Sequence, residues 1–194
     1  MNTAIKVSLV AVLAVFAMPV FAAKGLSQSF ADVGYARFNG DDYDYDGATV
    51  DAAFGIFKYV SLRAGYTRGF TDNFPENRDR SGDPDLNDFR FGARPHYSFS
   101  KELDIYADIL YNNKKFNGDS SRTQIGGIYG AGVRYLVMKK LELDVGLEYR
   151  SADIDAAFAT VGGTFRVTKV LGITVKTNQA LDDQNYFAGL RLFF

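Results

Sequence analysis

Asp42-Tyr43-Asp44-Tyr45-Asp46-Gly47 has the opening spacing of a calcium loop, in which alternate carboxylates converge on a cation and the glycine permits the sharp turn. Asp42, Asp44 and Asp46 are therefore the candidate metal ligands. The Glu expected at the twelfth position of such a loop is Ala53, so a solvated acidic hairpin loop over 41–47 is the competing reading. A longer polar stretch, Thr71 to Asp85, gathers Asp72, Glu76, Asp79, Asp83 and Asp85 around Arg78 and Arg80, and reads either as a contact surface for an external ligand or as a solvated cap. Cysteine is absent, which removes disulfides and thiolate metal sites. Nothing in the chain calls for a cofactor.

The segments that must position these residues alternate with a period of two, the signature of strands with two chemically different faces. Leu141 to Arg150 is the cleanest, setting Leu141, Leu143, Val145, Leu147 and Tyr149 against Glu142, Asp144, Gly146, Glu148 and Arg150. Val60 to Thr67, Leu86 to Phe99 and Leu103 to Asn112 follow the same rule. Weaker alternation runs through Ser29 to Arg37, Val50 to Ile56, Gln124 to Leu136, Ala157 to Val167 and Leu171 to Thr177. With the C-terminal segment the reading is an all-β chain of ten strands, with eight as the alternative.

The two ends say where such strands belong. In the first 22 residues Lys6 is the lone charge, Val7 to Val20 is apolar, and Val20-Phe21-Ala22 offers small residues where a signal peptidase reads. A cleaved signal peptide over 1–22 and a mature domain over 23–194 are expected. The apolar stretch falls short of the ~20 residues a spanning helix needs, so an exported chain that enters a membrane must do so as a closed barrel. Without Lys6, the 22 Lys and Arg drop by one against 23 Asp and Glu, which leaves no basic surface for nucleic acid.

An even strand number returns both termini to the periplasm, and short connections alternate with longer ones as such a barrel requires. The short ones, near Phe57 to Tyr59, Phe99 to Glu102, Met138 to Lys140 and Thr168 to Val170, are the expected periplasmic turns. Aromatic girdles are expected at Tyr97, Phe99, Tyr135, Phe165 and Phe194 near that side, and at Tyr35, Tyr66, Phe70 and Tyr111 near the outer side. Pro95, unable to donate to a ladder, predicts a bulge or strand end. A soluble sandwich or lipocalin-like barrel is the competing fold, and it would bury the apolar face and expose the charges.

If the apolar face meets lipid, Asp32, Asp51, Asp88, Asp104, Asp108, Glu142, Asp144 and Glu148 face the lumen together with Arg63, Arg90, Arg94, Arg134, Arg150, Arg166, Lys176 and Arg191. A small barrel has an interior just wide enough for side chains, so these charges are expected to pair across strands and plug the lumen rather than line a pore. Gly126, Gly130, Gly132 and Gly146 on the same face are expected either to leave room for the long arginines or to ease the curvature of the barrel.

The last strand, Tyr186 to Phe194, places Tyr186, Ala188, Leu190, Leu192 and Phe194 on one face and ends on an aromatic. With it, the alternating mature chain and stretches such as Leu103-Asp104-Ile105-Tyr106-Ala107-Asp108 and Gly130-Ala131-Gly132-Val133-Arg134-Tyr135, the sequence resembles the small OmpA/OmpX-like outer-membrane β-barrel proteins of Gram-negative bacteria. The resemblance implies a closed antiparallel transmembrane β-barrel in the outer membrane. It also implies an assembly signal in Tyr186, Leu190, Leu192 and Phe194, read by the outer-membrane assembly machinery. The expected partners are outer-membrane lipid and lipopolysaccharide, with an extracellular ligand at the loops. His96-Tyr97-Ser98 resembles the His-x-Ser pair of outer-membrane lipid A deacylases, but Phe99 follows where those enzymes carry Asn, and the parity turns His96 and Ser98 inward. A non-enzymatic envelope or surface-interaction protein is the first functional reading, a narrow channel the second and a lipid A hydrolase the third.

Overall fold

The structure, a computed structural model, describes residues 26–39, 44–70, 85–117, 122–151, 156–180 and 183–194. The expected signal peptide, Asp42 and most of the stretch from Thr71 to Asp85 lie outside the described residues. Ten strands form: β1 (Phe30–Asn39), β2 (Tyr45–Phe57), β3 (Val60–Phe70), β4 (Asp85–Ser98), β5 (Leu103–Asn117), β6 (Arg122–Met138), β7 (Leu141–Arg150), β8 (Ala156–Arg166), β9 (Leu171–Gln179) and β10 (Gln184–Phe193). Each pairs antiparallel with its sequence neighbours, and β1 pairs with β10 to close the barrel. Closure satisfies every edge, which a strand surrounded by lipid cannot leave open. At the closing seam Gly34 faces Gly189, and a Cβ at Gly34 would lie 2.3 Å from the Ala188 carbonyl oxygen. Only glycine lets the first and last strands approach so closely.

The alternation is resolved with the apolar face outward. Leu143 and Val145 are 41% and 55% exposed, while Glu142, preceding Leu143 in the pleat, is 1% exposed. A soluble barrel would show the reverse. Tyr97, Phe99, Tyr135 and Phe165 lie exposed at the periplasmic end, joined there by Phe57 and Tyr59. Tyr35, Tyr66 and Tyr111 lie exposed toward the outer end with Tyr129, Tyr149 and Tyr186. The Phe70 side chain lies outside the described residues.

Several strands run further outward than the alternation indicated. β5 continues to Asn117 and β6 begins at Arg122, although the stretch from Asn113 to Arg122 reads as a loop. Asn113 and Lys115 on the outer face carry no apolar signal, yet cross-strand pairing to Ile125 and Thr123 holds them in the ladder. Pro95 produces neither a bulge nor a strand end. The β4–β5 ladder lapses at Arg94 and Pro95 and resumes in the same register, Ala93 opposite Ile109 and His96 opposite Tyr106. The register shifts fall elsewhere, at Gly55/Phe57 and Leu136/Met138 beside two periplasmic turns.

Candidate functional site: the lumen

Inward positions from all ten strands meet in the lumen, where neighbouring strands ~4.8 Å apart bring long side chains within reach across the bore. At the periplasmic end Asp104 of β5, fully buried, accepts from the Arg134 guanidinium of β6 at 2.6 Å, from Gln28 at 3.1 Å and from Ser98 at 3.0 Å. Asp32 of β1 takes both arms of the Arg191 fork at 2.6 and 2.9 Å and the Lys176 ammonium at 2.6 Å. Glu142 of β7 receives Arg191 at 3.2 Å and Arg166 at 3.4 Å. At mid-depth Asp108 binds the Arg94 fork at 2.9 and 2.6 Å and Arg63 at 2.7 Å, while Arg63 and Arg90 converge on Asp51 at 2.9 and 3.3 Å. Planar forks meeting carboxylates two-to-one suit arginine and would not suit lysine.

Farther out Glu148 accepts from Arg150, whose guanidinium lies 4.6 Å from the Phe158 ring. Two of the expected charges meet neutral partners: Asp144 accepts from the Tyr106 hydroxyl at 2.6 Å, and Asp88 accepts from Asn112. The Tyr106 ring is sandwiched. Arg94 lies 3.8 Å above it, and a Cβ at Gly132 would come within 2.6 Å of its hydroxyl. The space at Gly132 and Gly146 is thus occupied by a tyrosine from β5, not by the long arginines the glycine pattern suggested. A polar-lined cavity of about 110 Å³ remains at mid-depth beside Thr49, Arg90, Asp144, Thr160 and Lys176, room for a few waters.

Two features of the lumen had no clear sequence signal. Residues 26–29 lie across the periplasmic mouth: Leu26 N–H donates to the Lys101 carbonyl at 3.2 Å and Phe194 N–H to the Ser29 carbonyl at 3.3 Å. Arg134 donates to the Ser27 carbonyl at 3.0 Å and to the Gln28 side chain at 2.6 Å, and Ser29 Oγ accepts from Gly55 N–H at 3.1 Å. Leu26-Ser27-Gln28-Ser29 does not alternate, so it reads only as a lead-in to β1. The second feature is the apolar outer third, where Phe38, Tyr45, Leu86 and Phe116 form one buried cluster and Phe38 stacks on Tyr45 at 5.2 Å. Lys114, 2% exposed, sits beside it, 5.7 Å from the Phe38 ring. Parity counted outward from Asp104 would have turned Lys114 and Phe116 inward had β5 been carried past Asn112.

The remaining candidates divide. In the described part of the run from Asp42 to Gly47, β2 starts at Tyr45, whose side chain enters the apolar cluster, and Asp46 pairs opposite Arg37 of β1, its carboxylate 3.8 Å from the guanidinium. In an extended strand residues two apart share a face but stand about 6.6 Å apart along it, so the chain from Tyr45 on does not curl its carboxylates round a cation as a calcium loop does, and Asp46 faces Arg37 instead. Among the described residues no cluster of three His, Asp or Glu could hold a metal. His96 and Ser98 lie at the periplasmic end, the Ser98 hydroxyl donating to Asp104 and His96 Nδ1 3.9 Å from that same carboxylate. In the C-terminal strand Tyr186 and Leu190 face outward, 44% and 52% exposed, with Leu192 and Phe194 half-buried at the β1 seam.

The chain resembles several solved outer-membrane barrels. A KdgM porin in complex with disordered oligogalacturonate is 12% identical over 87% of this chain and 99% of its own, with a TM-score of 0.47. Ail, the attachment invasion locus protein of Yersinia pestis, is 18% identical over 86% of this chain and 99% of its own, with a TM-score of 0.41. Neisserial surface protein A is 18% identical over 86% and 96%, with a TM-score of 0.44. No curated protein matches the sequence. The outer membrane protein beta-barrel domain family matches residues 8–176. Ten closed antiparallel strands with an apolar exterior and a charged interior accord with that match, and the chain belongs to the outer membrane protein beta-barrel domain family, an integral protein of the outer membrane.

Proposed function

We propose that this protein is a non-enzymatic envelope protein whose barrel is a sealed anchor, holding acidic outer loops at the cell surface for structural or surface-interaction roles. The observation that carries the reading is the chain of arginine–carboxylate contacts across the bore, from Asp104–Arg134 through Asp32–Arg191 to Asp108–Arg94, beneath an apolar outer cluster. Buried ions held by two or three partners each leave little freedom to move aside for a solute. In this reading lipopolysaccharide surrounds the outer rim, the assembly machinery reads Tyr186, Leu190, Leu192 and Phe194, and an extracellular ligand contacts the loops. The barrel reconstituted in planar bilayers is expected to give no stable unit conductance, and a reproducible conductance step would overturn the sealed anchor.

A narrow channel for ions or small solutes is the second reading, favoured by the polar lining of the mid-depth cavity. A hydrolase is disfavoured by geometry, because the Ser98 hydroxyl is directed to Asp104 and not to His96. Lipid A from cells overproducing the protein is accordingly expected to keep its mass.

A further inference from the structure

The lipid-facing wall is not uniform. Where the β4–β5 ladder lapses, the outward residues are Pro95 and Ala107, with Ala93 beside Pro95 and Ala131 paired to Ala107 across β6. Short side chains at that spot leave a groove of about 630 Å³, lined by Tyr59, Val60, Pro95, Tyr97, Ile105 and Ala107. Tyr59 and Tyr97 stack at 6.0 Å along one wall, and Phe99 meets Tyr97 edge-on at 5.0 Å. Its surface is almost wholly apolar. The groove lies at the periplasmic end of the barrel, since Tyr59 belongs to the β2–β3 turn and Tyr97 is one residue from the end of β4.

Charge at this end is predominantly positive. Each of the four turns joining β2–β3, β4–β5, β6–β7 and β8–β9 carries lysine: Lys58, Lys101, Lys139 with Lys140, and Lys169. Glu102 is the one acid among those turns, and its carboxylate already accepts from the Ser100 hydroxyl at 3.0 Å. The outer connections hold the opposite balance, with Asp41, Asp42, Asp44, Asp72, Glu76, Asp79 and Asp83 against Arg78 and Arg80 in the first two. An anionic amphiphile is therefore drawn to the periplasmic rim. Lys58 and Lys101 stand on the turns flanking the groove, and the Lys58 ammonium lies 4.9 Å from the ring of Tyr59, at the groove's edge. Tyrosines at the depth where headgroup meets acyl chain, with lysines just beyond them, match a lipid's own division into apolar and anionic parts.

We propose that the groove at Pro95 and the lysines Lys58 and Lys101 form a binding site for one anionic phospholipid of the periplasmic leaflet, its phosphate held by the lysines and an acyl chain laid over Pro95 and Ala107. The site stands apart from the lumen and does not depend on whether the lumen conducts. Native mass spectrometry of protein extracted from vesicles of phosphatidylethanolamine containing phosphatidylglycerol tests it. Wild type is expected to retain phosphatidylglycerol in preference to phosphatidylethanolamine. Lys58→Gln with Lys101→Gln should lower that retention roughly fivefold per lysine, about 25-fold together, whereas Lys139→Gln with Lys140→Gln leaves it unchanged. Ala107→Leu, which fills the groove, should abolish retention of either lipid while heat-modifiable migration on a gel reports an intact barrel. Equal retention in the two double-lysine variants, no preference for phosphatidylglycerol in wild type, or undiminished retention in Ala107→Leu would each overturn the site.

Discussion

At the periplasmic end the lumen is filled by Asp104, Arg134, Glu142, Asp32 and Arg191, and at the outer end by Phe38, Tyr45, Leu86 and Phe116. Both regions are buried, and each is assembled from strands distant in the chain. They differ in how their contacts fail. Ionic partners in the lower half depend on one another, because losing one group leaves its counter-ion desolvated and uncompensated. Apolar side chains in the outer third lose transfer energy and gain a cavity, a cost that grows with the volume removed and reaches no further than the neighbours.

Arg134→Ala should have the largest effect, about 3–5 kcal/mol, because it strands fully buried Asp104 and also releases the Ser27 carbonyl and the Gln28 side chain. A heat-modifiability gel is expected to show the folded band lost at a clearly lower temperature, together with faster proteolysis ahead of β1. Leu86→Ala, at 0% exposure in the apolar cluster, should cost less, about 2–3 kcal/mol, with no change in cleavage of the 26–29 segment. If Leu86→Ala also frees that segment, the two ends are one cooperative unit and the contrast fails. Glu148→Ala should be mildest, roughly 1–2 kcal/mol, because its side chain is 19% exposed and Arg150 keeps its contact with the Phe158 ring. A gel transition shifted as far by Glu148→Ala as by Arg134→Ala would mean that exposure does not grade these pairs.

Much of the architecture was legible because period-two alternation is a local property. Leu143, Glu142 and Val145 declare opposite faces without reference to any other strand, and the resemblance to small outer-membrane barrels carried the expectation that the apolar face meets lipid. The apolar outer third was not legible. Phe38, Tyr45, Leu86 and Phe116 lie beyond the bilayer-depth segments, where flanking residues such as Asn39, Asn87 and Lys115 are polar and the alternation inverts. An apolar residue there turns inward because the outer face meets polar surroundings. Tyr45 to Gly47 read as loop for a related reason, since β2 already begins at Tyr45 and the Tyr45 side chain, not the Asp46 carboxylate, finds the interior.

The amino-acid sequence by itself determined sidedness and membrane and favoured ten strands over eight, since each rests on the pattern of neighbours along one chain and on the rule that lipid tolerates no open sheet edge. Partners were decided only in the closed barrel. Asp32 meets Lys176 across 144 residues and Arg191 across 159, and Arg134 reaches Ser27 across 107. Those separations follow from strand stagger and ring closure, and a list of inward-facing charges contains neither.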